Sequence, residues 1–158
     1  MSTLIDAVSV RSIHMGTLVT KGPVDTANGA TNLFAITGGQ VIVTMLLGKV
    51  TTAFGSTTAN TKLQFDPTAT GSTFDLCTTT DVASDAIGQT YTIAGDVETP
   101  GALLVAGGVG QANPVFAKPL LLTTGTIILN MSADPGVGAS QWYITYVPLD
   151  SSASIAAA

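Results

Sequence analysis

The chain has 158 residues, of which 46% are hydrophobic and 9% are charged, and its formal net charge is -5. This length fits one domain that can bury a core of its own, and the apolar, charge-poor composition excludes disorder, which needs many charges and few apolar residues. Ten acidic residues outnumber five basic ones, so the surface repels phosphate backbones and no nucleic-acid partner is expected.

No membrane span or targeting signal is predicted. The charge-poor windows are interrupted by Gly, Pro and Asn well before the roughly 20 continuous apolar residues that a membrane helix needs. The first residues lack the basic and long apolar regions of a secretory signal, so we expect synthesis in a host cytoplasm. Cys77 is the single cysteine, which excludes an intrachain disulfide.

The chain divides into three parts by pattern. Residues 1–11 show no clear periodicity and are predicted to be a flexible N-terminal arm. Residues 12–150 are predicted to form a single β domain. Residues 151–158 (SSASIAAA) are small, have little to bury and are predicted to be a flexible C-terminal tail.

Alternation of apolar and polar residues with a period of two dominates the central part. Residues 40–54, which follow a turn at Gly38 and Gly39, are apolar on both faces from Val41 to Leu47, as expected of a central sandwich strand. Only Asp81 to Ile87 has the pattern of a helical turn or two. The other predicted strands, taken in order, are 12–20, 33–37, 62–66, 72–80, 89–97, 102–106, 119–131 and 140–149.

These elements predict an all-β fold with almost no helix. About eight short strands, separated by clusters of Gly, Pro, Asn and Asp, are typical of an antiparallel β-sandwich or a jelly-roll-like barrel. Because interface cores are depleted in charge, the missing charge indicates a surface that is largely covered by other protein. The alternative is a surface solvated by Thr, Ser and Asn hydroxyls and amides.

The residue patterns predict no catalytic, cofactor or metal site. His14 is the only histidine and no nucleophile turn lies near it in sequence. The glycines of residues 107–113 do not form a dinucleotide fingerprint, and Gly48 and Lys49 are followed by Val50, so no phosphate-binding loop is present. The carboxylates, which lack the spacing of a calcium loop, cluster at Asp75, Asp81 and Asp85 and at Asp96 and Glu98. We therefore predict that the protein is not an enzyme.

Four segments resemble small virion proteins of tailed bacteriophages. These segments are Phe34–Thr44, Asp75–Cys77, Gly125–Leu129 and Gln141–Leu149. The size, the low charge and the abundance of Thr, Gly and Ala are similar to those of head decoration (cement) proteins. The resemblance implies a β-sandwich or β-barrel body, often a homotrimer, that lies on the outer capsid surface and joins neighbouring copies of the major capsid protein.

The predicted function is therefore that of a capsid decoration or minor capsid protein, with the major capsid protein and other copies of itself as partners. Two sets of contact residues follow from their apolar character and their place in the chain. The predicted capsid-contact residues of the arm are Leu4, Ile5, Val8, Val10, Arg11 and Ile13. The predicted subunit-interface residues, in the stretch Thr99 to Ala133 where Lys118 is the only charge, are Leu103, Leu104, Val105, Val115 and Phe116.

Three other structural roles stay open at this point. A tail-tube or tail-tip protein needs a long hairpin and ring-closing interfaces, for which the strand at 40–54 is long enough. A small jelly-roll capsid subunit has the same composition. A fibre or host-recognition module normally shows a repetitive or aromatic-lined binding tip.

Overall fold

The computed structural model describes residues 6–69, 71–93, 101, 103–106 and 115–158. Within these residues there are one helix and twelve strands, and every strand pairing is antiparallel. The elements are α1 (Ala7–Met15), β1 (Thr17–Asp25), β2 (Gly29–Thr37), β3 (Val41–Thr52), β4 (Asn60–Pro67), β5 (Phe74–Asp75), β6 (Thr80–Asp81), β7 (Thr90–Thr92), β8 (Leu104–Ala106), β9 (Val115–Leu122), β10 (Gly125–Met131), β11 (Ala139–Pro148) and β12 (Ser154–Ala157).

The strands form two six-stranded sheets. Sheet A has the order β1-β11-β3-β7-β8, and β9 pairs with the other end of β3. Sheet B has the order β12-β2-β10-β4-β5, and β6 pairs with the other end of β4. The long connections repeatedly pass from one sheet to the other, so the two sheets enclose one core between their inner faces.

Both sheets supply large side chains to this core. Trp142 and Ile144 of sheet A and Phe34, Leu63 and Phe65 of sheet B are at most 1% exposed. Trp142 lies against Gly48 of the neighbouring strand, where a Cβ atom would be 2.8 Å from its ring atom Cη2. The indole Nε1 of Trp142 donates to the hydroxyl of Ser140 at 2.9 Å, so the buried ring keeps its hydrogen bond.

The prediction of an all-β antiparallel sandwich is confirmed, but the predicted number of strands was too low. The further strands arise because the predicted segment 72–80 covers β5 and the start of β6, the predicted segment 119–131 corresponds to β9 and β10, and β12 lies in the predicted tail. β5 and β6 have only two residues each, too few for a period of two to mark them as separate strands in the sequence.

The predicted strand at 119–131 is two strands rather than one. It divides between β9 and β10, which lie in different sheets. The turn at Gly38 and Gly39 is where predicted, and both glycines have positive φ, 74° and 144°. The strands on either side of that turn also lie in different sheets, so they form a corner between the sheets rather than a hairpin.

The prediction of a patternless arm at residues 1–11 and a strand from residue 12 is wrong for the described part of that segment. Residues Ala7–Met15 form α1, and the first strand begins at Thr17. The helix was missed because its apolar side chains do not face the core, so the usual helical signal of a buried stripe is absent.

The prediction of a flexible tail at residues 151–158 is also wrong. Ser154–Ala157 form β12, which pairs with β2, and Ala153 and Ile155 are buried at 8% and 5% exposure. Small residues suit β12 because it is the edge strand of sheet B, where there is little space for large side chains. A third correction concerns Asp81 to Ile87, which forms turns instead of a helix and holds Ser84 at φ 63°.

Candidate interaction surface

Part of the outer face of sheet A is apolar, although it lies on the outside of the sandwich, and the polar residues Thr20, Lys49 and Gln141 lie on the same face. Side chains on it alternate along each strand with core side chains, and the register places them in rows. One row, which we call the Leu121 row, runs across three strands through Leu121, Ile42 and Val147. We define face A as this row together with the outward residues Leu18, Met45, Leu47 and Tyr143.

Face A is open to solvent in a single chain. Leu121 is 59% exposed, Leu18 48% and Val147 41%, whereas the other side chains of face A are half-buried. None of them is charged. Antiparallel sheets with one solvated face normally carry polar side chains there, so an apolar outer face indicates a surface that another molecule covers.

The sequence contained a signal for this surface. The run from Val41 to Leu47 is apolar at nearly every position, and we interpreted it as a central strand buried on both sides. The strand is central within sheet A, but a two-layer sandwich buries only one face of each sheet. In a fold with only two layers, the second apolar face of such a strand is therefore left on the outer surface of the sheet.

The helix α1 stands on the same side of sheet A and is capped at both ends. Asp6 precedes it, and its carboxylate accepts from the backbone N–H of Ser9 at 3.0 Å and from its hydroxyl at 2.7 Å. Gly16 ends the helix with φ 88°. A Cβ at Gly16 would overlap the backbone carbonyl of Tyr146, so both the conformation and the space require glycine.

Two threonines attach the end of α1 to sheet A. Thr44 is the extra residue of a bulge in β3 opposite Thr145 and Tyr146. Its hydroxyl donates to the carbonyl oxygen of Met15 at 2.9 Å, and the hydroxyl of Thr145 lies 2.7 Å from it. The last turn of α1 and the sheet beneath it enclose a groove, which is lined by Ser12, Met15, Gly16, Thr17, Leu18, Met45 and Thr145.

The opposite side of α1 carries exposed apolar residues. Ala7, Val10 and Ile13 follow each other at a spacing of three residues and therefore share one side of the helix. Val10 is 51% exposed and Ile13 is 76% exposed. We call Ala7, Val10 and Ile13 the α1 stripe.

The structure places two of the predicted capsid-contact residues in the α1 stripe, namely Val10 and Ile13. Leu4 and Ile5 lie outside the described residues. Val8 and Arg11 belong to α1, but their side chains lie outside the described part of the chain. The predicted contact residues that are described therefore belong to a helix rather than to a flexible arm.

The predicted subunit interface is wrong at Leu103. This residue is 2% exposed and belongs to the core of the single chain, so it has no surface to offer a partner. Composition did not separate the two environments because a sandwich interior and an interface are equally poor in charge. The side chains of Leu104, Val105, Val115 and Phe116 lie outside the described part of the chain, and these four remain predictions.

The outer face of sheet B is polar and internally hydrogen-bonded. Lys62 forms an ion pair with Asp75 at 2.9 Å, Gln64 donates to Asp75 at 2.8 Å, and Asn130 donates to Gln64 at 2.7 Å. The Lys62 ammonium holds the pKa of the Asp75 carboxyl below its usual value. We define face B as these four residues together with Asp66, Thr126 and Thr73, whose hydroxyl donates to Asp66 at 2.9 Å.

Three further titratable groups have a raised pKa. Burial raises the pKa of the Cys77 thiol to about 11, and the thiol accepts the backbone N–H of Leu63. Burial also raises the pKa of the Asp85 carboxyl, which accepts the Tyr91 hydroxyl at 2.7 Å, and it raises the pKa of Tyr91. His14 lies on the exposed helix α1, far along the chain from these groups and hydrogen-bonded to none of them.

In the described ranges no three His, Cys, Asp or Glu side chains lie close enough together to hold a metal ion. The described helix is too short to cross a bilayer.

Comparison with known proteins returns no relative. No protein family, no curated protein and no solved structure matches this chain. The function of the chain can therefore be inferred only from its sequence and from the surfaces described above.

Proposed function

We propose that this chain is a bacteriophage capsid decoration protein that binds the assembled head lattice and stabilises it. The observation that carries the proposal is the α1 stripe, an apolar side of a helix on which Val10 and Ile13 are exposed. The resemblance of the sequence to small virion proteins supports the same role. The predicted partner is the major capsid protein at the outer surface of the head, and the predicted homotrimer stays a prediction.

The geometry supports a mechanism in which α1 is the contact element. A nine-residue helix is marginal by itself in water, so the Asp6 cap and the attachment of Gly16 to sheet A hold it ready for a partner. Docking the α1 stripe on neighbouring capsid subunits removes Val10 and Ile13 from water. A ligand that binds the assembled lattice but not free subunits stabilises the lattice, by about 2.7 kcal/mol per site at a hundredfold excess over its Kd.

The strand topology favours a decoration protein over a tail-tube protein. Ring closure in a tube needs a long hairpin made of consecutive strands. In the described residues the long consecutive strands, β1 to β4 and β9 to β11, alternate between the two sheets, so no two neighbours among them form a hairpin. Consecutive strands that do pair, such as β4 with β5, have a very short second strand.

The test is a binding measurement on undecorated heads that are assembled from the major capsid protein of the same phage. The purified chain should saturate the heads at many copies each and raise their melting temperature. The double variant Val10→Asp and Ile13→Asp should lose binding by at least about 100-fold, because a charge is placed in an apolar contact. Both residues are exposed, so the variant should keep the circular dichroism spectrum of the parent.

A matched control separates the contact from a general loss of apolar surface. Ile87 is 67% exposed and lies in a turn on another part of the surface, so Ile87→Asp should bind heads like the parent. Equal binding by the α1 variant and the control would contradict the role of α1. Failure of the parent to bind heads, together with spontaneous assembly of rings or tubes, would contradict the decoration function and favour the tail.

A further inference from the structure

We infer that face A binds a second copy of this chain, through a contact centred on the Leu121 row. This contact is separate from the α1 stripe and does not depend on the capsid. It also differs from the interface expected from sequence, which was placed at Leu103, Leu104, Val105, Val115 and Phe116 within the stretch Thr99 to Ala133. Leu121 lies in that stretch, but Ile42 and Val147 come from strands far from it in the chain.

The Leu121 row is accessible because α1 covers a different row. The last turn of α1 lies over Leu18, Thr145 and Met45, which line the groove beneath it. Leu121 and Val147 lie at the end of sheet A and line no part of that groove. Leu149, which follows β11 and is 50% exposed, extends the apolar surface at the same end.

The charge distribution selects a second copy as the occupant. The chain has a net charge of -5, so two copies repel each other unless the surfaces that meet are uncharged. The residues of face A are uncharged and Lys49 is the exposed charge beyond Leu47 on the same side of β3, whereas face B carries the carboxylates Asp66 and Asp75 besides Lys62. A pair of face A surfaces therefore brings apolar side chains together without placing carboxylates opposite one another.

The size of face A fits a weak self-association. The four strands β1, β11, β3 and β9, spaced about 4.8 Å apart, are about 19 Å wide, and the residues from Gln141 to Val147 are about 24 Å long. The product is roughly 450 Å² in projection and includes the row that α1 covers. The free part of face A is therefore smaller than the roughly 800 Å² per partner of a standard interface, so we expect a weak contact. The same surface on both copies makes the contact two-fold.

The molar mass in solution tests the inference without any capsid. Light scattering and sedimentation equilibrium, over about 1 to 100 µM, should give twice the 15.9 kDa chain mass at the upper end. Leu121→Asp and Val147→Asp should each raise the dissociation constant by at least about 100-fold. The matched controls Ile87→Asp and Val137→Asp change residues that are 67% and 60% exposed outside face A, and they should leave the dissociation constant unchanged.

A cross-linking experiment keeps the test independent of any effect of a charge on folding. Cys77 is buried and its thiol pKa is raised, so a Leu121→Cys variant has one reactive thiol per chain. Mild oxidation should join two such chains through Cys at position 121 if the Leu121 rows meet. An Ile87→Cys variant has a more exposed thiol and should form far less of the linked product.

Four results would overturn the inference. They are a monomer across the whole concentration range, a mass that the face A variants do not change, equal cross-linking by the two cysteine variants, and a trimer that the face A variants dissociate. The last result would place a different surface of the neighbour against face A. None of them affects the binding of heads through α1, so failure of this inference and failure of the proposed function are distinguishable.

Discussion

The outer faces of the two sheets differ in chemistry although their inner faces are alike. Face B is polar, and its side chains satisfy one another through the Lys62–Asp75 ion pair and the hydrogen bonds of Gln64. Face A is apolar, and Leu18, Leu121 and Val147 stay exposed. The inner faces share one core that includes Trp142 from sheet A and Phe65 from sheet B.

This difference shows that burial in the core does not explain all the apolar residues of the chain. A sheet needs one apolar face to fold, and face B has the polar character expected of the other. The apolar residues of face A are surplus to the folding of a single chain. Since exposed apolar area lowers solubility, their position on one side of the molecule is most simply explained by a partner.

The largest expected effect is the loss of stability when a large core side chain is removed from either sheet. It tests whether the inner faces of both sheets contribute to the common core. Trp142→Ala and Phe65→Ala should each lower the free energy of unfolding by about 3–5 kcal/mol, because both remove a large, fully buried side chain. Urea denaturation followed by circular dichroism gives both values. A loss below about 1 kcal/mol in either variant would show that its sheet does not contribute to the common core.

The next effect concerns the attachment of α1 to the side of face A. Gly16→Ala should destabilise the helix and its junction by about 1–3 kcal/mol, because alanine is strained at φ 88° and overlaps the carbonyl of Tyr146. Gly136 has the same φ of 88° but open space around it, so Gly136→Ala measures the strain alone. Faster trypsin cleavage after Arg11 in the Gly16 variant reports the release of α1. Equal losses in the two variants would mean that the overlap with Tyr146 has no effect.

A smaller effect is expected from the ion pair of face B. Asp75→Asn should cost about 0.5 kcal/mol at neutral pH, since the pair with Lys62 is partly exposed and screened by solvent. Because the pKa of Asp75 is lowered in the folded chain, its contribution is present above the unfolded pKa and is lost as the pH falls through the folded pKa. Urea denaturation of parent and variant should therefore differ at pH 7 and converge as the pH falls below the pKa of Asp75 in the folded chain. A difference that persists in acid would have another origin.

The smallest effect is expected on face A itself. Leu121→Thr should change the free energy of unfolding of the monomer by less than about 0.5 kcal/mol, because Leu121 is 59% exposed in a single chain. The measurement is made at a concentration below the dissociation constant of the self-association. A loss of more than about 1 kcal/mol would show that Leu121 packs within the chain and is not part of a free surface.

Local pattern was sufficient for the central strands. Trp142, Ile144 and Tyr146 alternate with polar neighbours in β11 and were expected on one face, and all three are core residues. The same reasoning failed for α1 and β12. Their identity depends on contacts with distant residues, such as the hydrogen bond from Thr44 to Met15 and the pairing of Ile155 with Ile36.

The candidate site was predictable only in part. Val10 and Ile13 were predicted to contact the capsid because they are apolar and lie near the N-terminus. The segment that carries them was expected to be a flexible arm, but it is the helix α1. Face A was not identified, because Ile42, Leu121 and Val147 are adjacent only after β3, β9 and β11 pair. An apolar residue on a strand has the same sequence signal whether it faces the core or a partner.

The sequence by itself determined the all-β class, the positions of the main turns and the small number of charges, because these follow from local backbone preference and composition. The tertiary structure alone decided which apolar residues are inside and which are outside. Leu103 and Leu121 come from the same charge-poor stretch, yet one is 2% exposed and the other 59%. The physical reason is that a side chain is buried only where the opposite sheet packs over it. That opposite sheet is built from strands that are distant in the chain.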